Sequence, residues 1–200
     1  MTRRFSVGEL VVATHNKGKL AEMAPMLEKF GVTLIAAGDL GLEAPEETGT
    51  TFIDNALLKA RYVANATGKI ALADDSGLCV EALDGAPGVY SADWAETENG
   101  RDFSHACEQV HIKMDDTKNT AAAFVSVVVL CWPDGHHEIA EGRAEGNITW
   151  PPRGKQGHGY DPIFLPAGHA HTFAEMSFDE KNAISHRARA MQGIIEKCFR

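Results

Sequence analysis

The sequence contains no apolar run long enough to cross a bilayer: the longest, Ala121 to Trp132, falls short of the roughly 20 residues that such a helix needs. The two arginines near the N-terminus precede no apolar stretch of the kind a secretory signal carries. A cytoplasmic protein without a membrane partner is therefore expected. Cysteine is scarce and scattered. Cys79, Cys107, Cys131 and Cys198 form no C-x-x-C pair, which speaks against a zinc ribbon or disulfide scaffold and for reduced thiols. Positive charge is short too: 19 Lys and Arg against 28 Asp and Glu leave a formal net charge of -9. A nucleic-acid partner calls for the opposite balance, whereas a small anionic molecule needs only a few local cations. With no internal repeat and no low-complexity tract, solenoids and linker-joined arrays are excluded as well.

What is present is ordinary globular material, 44% hydrophobic and 24% charged over 200 residues, enough for one domain over 1–200 with a substantial core. Glu9 to Thr14 reads as a strand running into the polar turn His15, Asn16, Lys17, Gly18. Leu20, Met23, Leu27 and Phe30 then recur at helical spacing, with Pro25 expected to kink or shorten the helix. Val32 to Ala36 follows as a strand. Thr51 and Asp54 form a capping pair that opens a helix ending before Gly68. Ile70 to Ala73 is a short strand delivering Asp74 and Asp75 at its end, where α/β proteins place their chemistry. Ala121 to Trp132 and His136 to Gly146 flank Asp134–Gly135, a strong hairpin signal. Ser185 to Phe199 closes the chain as a helix with Ala188, Met191, Ile194 and Ile195 inward. The class is mixed α/β.

The familiar phosphate and metalloprotease signatures are missing: no G-x-x-x-x-G-K-[ST], no complete G-x-G-x-x-G after a strand and no H-E-x-x-H. Four polar clusters remain. Thr14, Asn16, Lys17 and Lys19 lie at a strand-to-helix turn, where backbone N–H groups, the helix dipole and two ammonium groups suit a polyphosphate or simply cap a solvated helix. Glu46 and Glu47, with Asp74 and Asp75, supply hard oxygens of the sort Mg²⁺ uses together with phosphates. Arg153 to Pro162 combines glycines, cations and an aromatic fit for a planar anion, unless it is only a surface loop. Lys181, Asn182, Ser185, His186 and Arg187 offer donors for a phosphate or a base edge, or serve as caps. His136, His137, His169 and His171 sit beside turns and read as surface residues.

Five segments, taken in order, resemble the inosine triphosphate pyrophosphatase family: VVATHNKGKLAEM, EETGTTFIDNALLKARYVA, ALADDSGLCVEALDGAPGVYSA, GYDPIF and FAEMSFDEKNAISHRARA. The resemblance implies a two-lobed mixed α/β fold with a long curved mixed β-sheet flanked by helices and a substrate cleft between the lobes. It implies a homodimer, Mg²⁺ as cofactor, and hydrolysis of deaminated purine nucleoside triphosphates (ITP, dITP, XTP) to the monophosphate and pyrophosphate. By the same resemblance Thr14, Asn16 and Lys19 contact the triphosphate, with Lys17 a further candidate from the same turn, Glu46 or Glu47 joins Asp75 at the metal, and Asp75 is the general base with Ser76 beside the substrate. His158, Gly159, Tyr160 and Asp161 lie near the nucleoside, and Lys181, His186 and Arg187 hold phosphate and base. One departure stands out: where the family commonly has Phe before GYDP, this sequence has His158.

The chemistry suits those residues. Water attacking the α-phosphorus needs a base to take its proton and positive charge on the phosphate oxygens. A pocket offering donors favours a purine 6-carbonyl over an amino group, and Arg187, which has donors only, is expected to read it. Two other readings compete, a Maf-like pyrophosphatase of other modified or pyrimidine nucleotides and a nucleotide sensor that binds without cleaving. The SHR and GYDP segments speak against the first, and the acids Glu46, Asp74 and Asp75 against the second.

Overall fold

Strand β1, Glu9–Val12, places Leu10, Val11 and Val12 in the core with side chains alternating to both faces. The computed structural model describes residues 2–6, 8–14, 16–115 and 117–199, and of Lys17 the backbone alone. β1 ends before Thr14, whose hydroxyl accepts the Asn16 N–H at 3.1 Å and turns the chain. Helix α1, Lys17–Glu28, follows with Asn16 as its N-cap. Pro25 lies inside this helix without ending it, at the cost of one backbone hydrogen bond. Strand β2, Thr33–Ala36, returns parallel to β1. Helix α2, Phe52–Thr67, starts where the Thr51 hydroxyl accepts the Asp54 N–H at 3.1 Å and stops at Gly68, whose φ of +65° suits glycine.

Strand β3 is longer than the sequence suggests. It runs from Ile70 to Val80, so Asp74 and Asp75 stand in the middle of a strand and not at its end. Asp, Ser and Gly are poor strand formers, but context overrides propensity here: β3 is an inner strand, with β1 on one side and β6 on the other. Strands β4, Glu96–Thr97, and β5, Gly100–Arg101, make a separate small ribbon. Helix α3, Phe103–Met114, is capped by Asp102 and was not expected from the sequence. Strands β6, Ala121–Cys131, and β7, His137–Ile148, form the expected hairpin, with Gly135 at φ +86° in its turn. β8, Phe164–Pro166, pairs antiparallel with β7. Helix α4, Phe178–Ile184, opens on a Ser177–Glu180 capping box, and α5, His186–Cys198, ends the fold. On α5 it is Ala190, not Ala188, that joins Met191, Ile194 and Ile195 in the core.

The six main strands hydrogen-bond in the order β2-β1-β3-β6-β7-β8, a mixed sheet. The chain divides into two compact units: residues 1–75, 126–142 and 187–200, and residues 76–125 and 143–186. Unit 1 buries both faces of its strands. Leu10, Val12, Leu72, Val128 and Leu130 pack with Met23 and Leu27 of α1 and Met191 and Ile194 of α5. Val11, Ala71, Ala73, Val127, Val129 and Cys131 pack with Ala56, Ala60, Val63 and Ala64 of α2. Unit 2 gathers around Phe124, Phe164 and Phe173, with Phe124 edge-on to Phe164 at 4.8 Å. Among the described residues no helix is long and apolar enough to cross a membrane.

Candidate active site

In unit 1 the alternation of β3 sends Asp74 to the face of Leu72 and Asp75 to the face of Ala73, so two chain neighbours enter different surroundings. Both carboxylates are buried. On its face Asp74 receives Lys19 Nζ from α1 at 3.0 Å and Arg187 Nε from the start of α5 at 3.2 Å. Arg187 also pairs through its terminal nitrogen with Glu22, one turn along α1 from Lys19. Burial disfavours the Asp74 anion, yet the ammonium and guanidinium outweigh it and hold its carboxyl well below the usual carboxylate range. Burial also lowers the proton affinity of Lys19, by more than Asp74 restores.

On the other face Asp75 Oδ1 lies 3.2 Å from Lys59 Nζ, and Asp75 Oδ2 accepts from Asn55 Nδ2 at 3.3 Å. Lys59 reaches Glu47 Oε1 at 3.1 Å as well, so one ammonium stands between two carboxylates. Burial raises the Asp75 pKa despite the opposing pull of Lys59 and Lys19, and Glu47 adds repulsion in the same direction. Burial would lower Lys59, but Asp75, Asp74 and Glu47 outweigh it and its pKa rises. Adjacent carboxyls whose environments push their pKa values apart take different roles: Asp74 is a fixed counter-charge, and Asp75 has the stronger basicity of the two.

The donor set at Asp75 is chemically right for Mg²⁺. Two carboxylates already share one cation, the Lys59 ammonium, and hard oxygens are what Mg²⁺ takes. Both acids of the pair are exposed, and Glu47 is the one that reaches this place through its contact with Lys59. Among the described residues no group of three or more His, Cys, Asp or Glu side chains is assembled to hold a metal.

The other residues singled out from the sequence are placed as follows. Asn16 Oδ1 caps α1 by accepting Gly18 N–H at 2.9 Å and Lys19 N–H at 3.3 Å, and Thr14 is half-buried beside it. The side chain of Lys17 lies outside the described residues. Ser76, half-buried, is the first residue of unit 2.

Within unit 2 the segment before β8 is anchored, not a free surface loop. Asp161, 2% exposed, accepts Lys181 Nζ at 2.6 Å and the His158 N–H at 2.8 Å on the same oxygen. Gly157, at φ +74°, faces that oxygen so closely that a Cβ there would lie 2.1 Å from it. Tyr160 is buried, its hydroxyl donating to the Ser91 carbonyl at 2.8 Å and its ring edge-on to Phe103. Gly159 accepts from the Cys107 thiol, and only His158 presents an exposed ring. His186 is buried and stacks on Phe124 at 4.8 Å. Arg187, 2% exposed, pairs with Asp74 and Glu22.

Glu22, Asn55 and Lys59 escaped the sequence reading. Their signal was present: Asn55 and Lys59 are four apart on α2, on the same stripe as Ala56, Ala60 and Val63. Polar residues at inward positions of a helix need a buried partner.

Residues 10–197 match the model of the Ham1 family. The chain is 53% identical to a dITP/XTP pyrophosphatase of Ruegeria pomeroyi, over 100% of this chain and 99% of that one. It is 51% identical to a dITP/XTP pyrophosphatase of Zymomonas mobilis, over 99% and 95%. Among solved structures, a HAM1 protein from Coxiella burnetii superposes with a TM-score of 0.85 at 40% identity, over 93% of this chain and 95% of that one. A nucleoside-triphosphatase, dITP/XTP pyrophosphatase, from Mycobacterium abscessus gives 0.77 at 42% identity, over 94% and 98%.

Proposed function

The chain belongs to the Ham1 family, and we propose that Asp75 is the centre of the chemistry for which its relatives are named. It hydrolyses deaminated purine nucleoside triphosphates such as dITP and XTP, releasing pyrophosphate. The observation that carries the assignment of the centre is the division of labour between Asp74 and Asp75, one neutralised by Lys19 and Arg187, the other basic and paired with Lys59 and Asn55.

In this reading a water oxygen bonds to the α-phosphorus while the bond from that phosphorus to the α–β bridging oxygen breaks, and pyrophosphate departs. Asp75 takes the proton of the attacking water, and its raised pKa makes it a better acceptor than an ordinary carboxylate. Lys59 orients the Asp75 carboxylate from one oxygen and Asn55 from the other. Lys19 lends positive charge toward the triphosphate, and Asn16 keeps the start of α1 wound, so that the positive end of the helix dipole faces an anion there. Glu47 and Asp75 would hold Mg²⁺, which when bound neutralises phosphate oxygens and makes the phosphorus a better electrophile. Donors facing purine position 6 favour a carbonyl and leave an amino group opposed.

A homodimer accords with unit 2, where Ile112 and Trp150 stay 58% and 41% exposed, the Trp150 ring stacked on His111. The cytoplasm is the compartment we assign. The deciding experiment is pyrophosphate release from XTP, dITP, ITP, GTP and ATP with Mg²⁺ and with EDTA, in ¹⁸O water. We expect Mg²⁺-dependent release from the first three, with label in the monophosphate. Label in orthophosphate would show γ-phosphate cleavage and overturn the assignment.

A further inference from the structure

Gly49 lies two residues beyond Glu47, and its N–H donates to Asn55 Oδ1 at 2.8 Å. The other end of the same amide, Nδ2, donates to Asp75 Oδ2 at 3.3 Å. Asn55 is 2% exposed, on the inward stripe of α2. Only one orientation of the amide serves both neighbours, because a backbone N–H needs an acceptor and a carboxylate needs a donor. Aspartate would supply the acceptor but set a second anion against Asp75, and leucine would fill the space with neither group.

The fit is close from the loop side too. A Cβ on Gly49 would fall 2.5 Å from Asn55 Oδ1 and 2.7 Å from the Asp54 Cβ, so the loop reaches the amide only because residue 49 has no side chain.

We infer that Asn55 is a positioning residue, tying the loop that carries Glu47 to Asp75 through the two ends of one amide. This rests on the reading of Asp75 and Glu47 given above. The tie is neutral, in contrast to the ion pairs of Lys59 with the same two residues. It therefore holds the loop without adding charge where phosphate and a cation would meet.

The test uses Asn55→Leu, Asn55→Asp and Gly49→Ala, the last opening the tie with Asn55 and Asp75 both intact. Two quantities are compared with the wild type: amide hydrogen exchange over residues 46–49, and steady-state rates on XTP at varied Mg²⁺. We expect exchange to speed up by about tenfold or more in Asn55→Leu and Gly49→Ala. We expect kcat to fall by about 10- to 100-fold in all three, the scale for losing the partner that orients a ligating group, with KM for XTP changed by less than about threefold. The Mg²⁺ needed for half-maximal rate should rise, a shift that partial unfolding alone does not produce. If Asn55→Leu fails to fold, Gly49→Ala and Asn55→Asp decide. Unchanged exchange in Gly49→Ala, or faster exchange with unchanged kcat and Mg²⁺ requirement, overturns the inference. If the wild type releases no pyrophosphate from XTP, the proposed function falls, and the exchange comparison alone decides whether Asn55 holds the loop.

Discussion

Asp74 and Asp75 are joined by one peptide bond, yet they are held by different partners: Lys19 and Arg187 hold the first, Lys59 and Asn55 the second. The pleat of β3 separates them, and the separation gives them opposite pKa shifts.

Asp75→Asn keeps the size of the side chain and removes its basicity. Turnover of XTP should drop by about a hundredfold or more, the scale of losing a general base. The melting temperature should change little, since Lys59 still has Glu47. Turnover within about threefold of the wild type would move the base elsewhere.

Arg187→Ala leaves Asp74 and Glu22 buried without their shared guanidinium. Losing one partner of a buried pair costs about 3–5 kcal/mol, to be read from urea titration. Because the structure spends this guanidinium on carboxylates, kcat/KM should decline for XTP and ATP by similar factors. A decline confined to XTP would make Arg187 the reader of the base.

Lys181→Met strands Asp161 in the same way, within unit 2. The variant should lose stability on a similar scale, about 3 kcal/mol or more, and free the His158 amide to exchange faster. Calorimetry and hydrogen exchange check the two halves of that expectation separately.

Burial raises the Cys107 thiol to about 12 and the Cys198 thiol to about 11. A raised pKa means that the folded state keeps these protons after the unfolded chain has released them. Their contribution is therefore whole below the ordinary thiol value, near 9, and is lost as pH climbs from there toward the folded values. The alkaline limb of the stability curve should flatten in Cys107→Ala. Native protein should resist iodoacetamide at Cys107 at pH 8 and react in urea, as mass spectrometry would show.

Much of the frame was legible from local chemistry. Thr51 and Gly68 mark the ends of α2, and Asp134–Gly135 marks the hairpin, because caps and tight turns are written in residues a few positions apart. β3 was misjudged because Asp74, Asp75, Ser76 and Gly77 look like a strand end. What carries the strand through them is its place between β1 and β6, which no short window contains. Helix α4 was missed although Ser177 and Glu180 spell a capping box. At the site, the acids and Lys19 were visible as polar clusters, but Glu22, Asn55 and Lys59 were hidden among the apolar positions of their helices. Arg187 was seen, but its partners on α1 and β3 are distant in sequence and only folding reveals them.

β6 is apolar almost throughout, and in unit 1 its Val127, Val129 and Cys131 serve one core while Val128 and Leu130 serve the other. A strand that is oily on both sides cannot tell its two faces apart, so a one-residue slip against β7 exchanges one valine for another at little hydrophobic cost. The information that sets the alignment must come from outside the strand. The Asp134–Gly135 turn supplies it: the Gly135 N–H donates to the Trp132 carbonyl at 2.9 Å, and the Trp132 N–H to the His136 carbonyl at 2.8 Å. Folding fidelity of the longest strands thus depends on a few polar atoms at their tip, where a substitution would misalign the hairpin before it weakened either core.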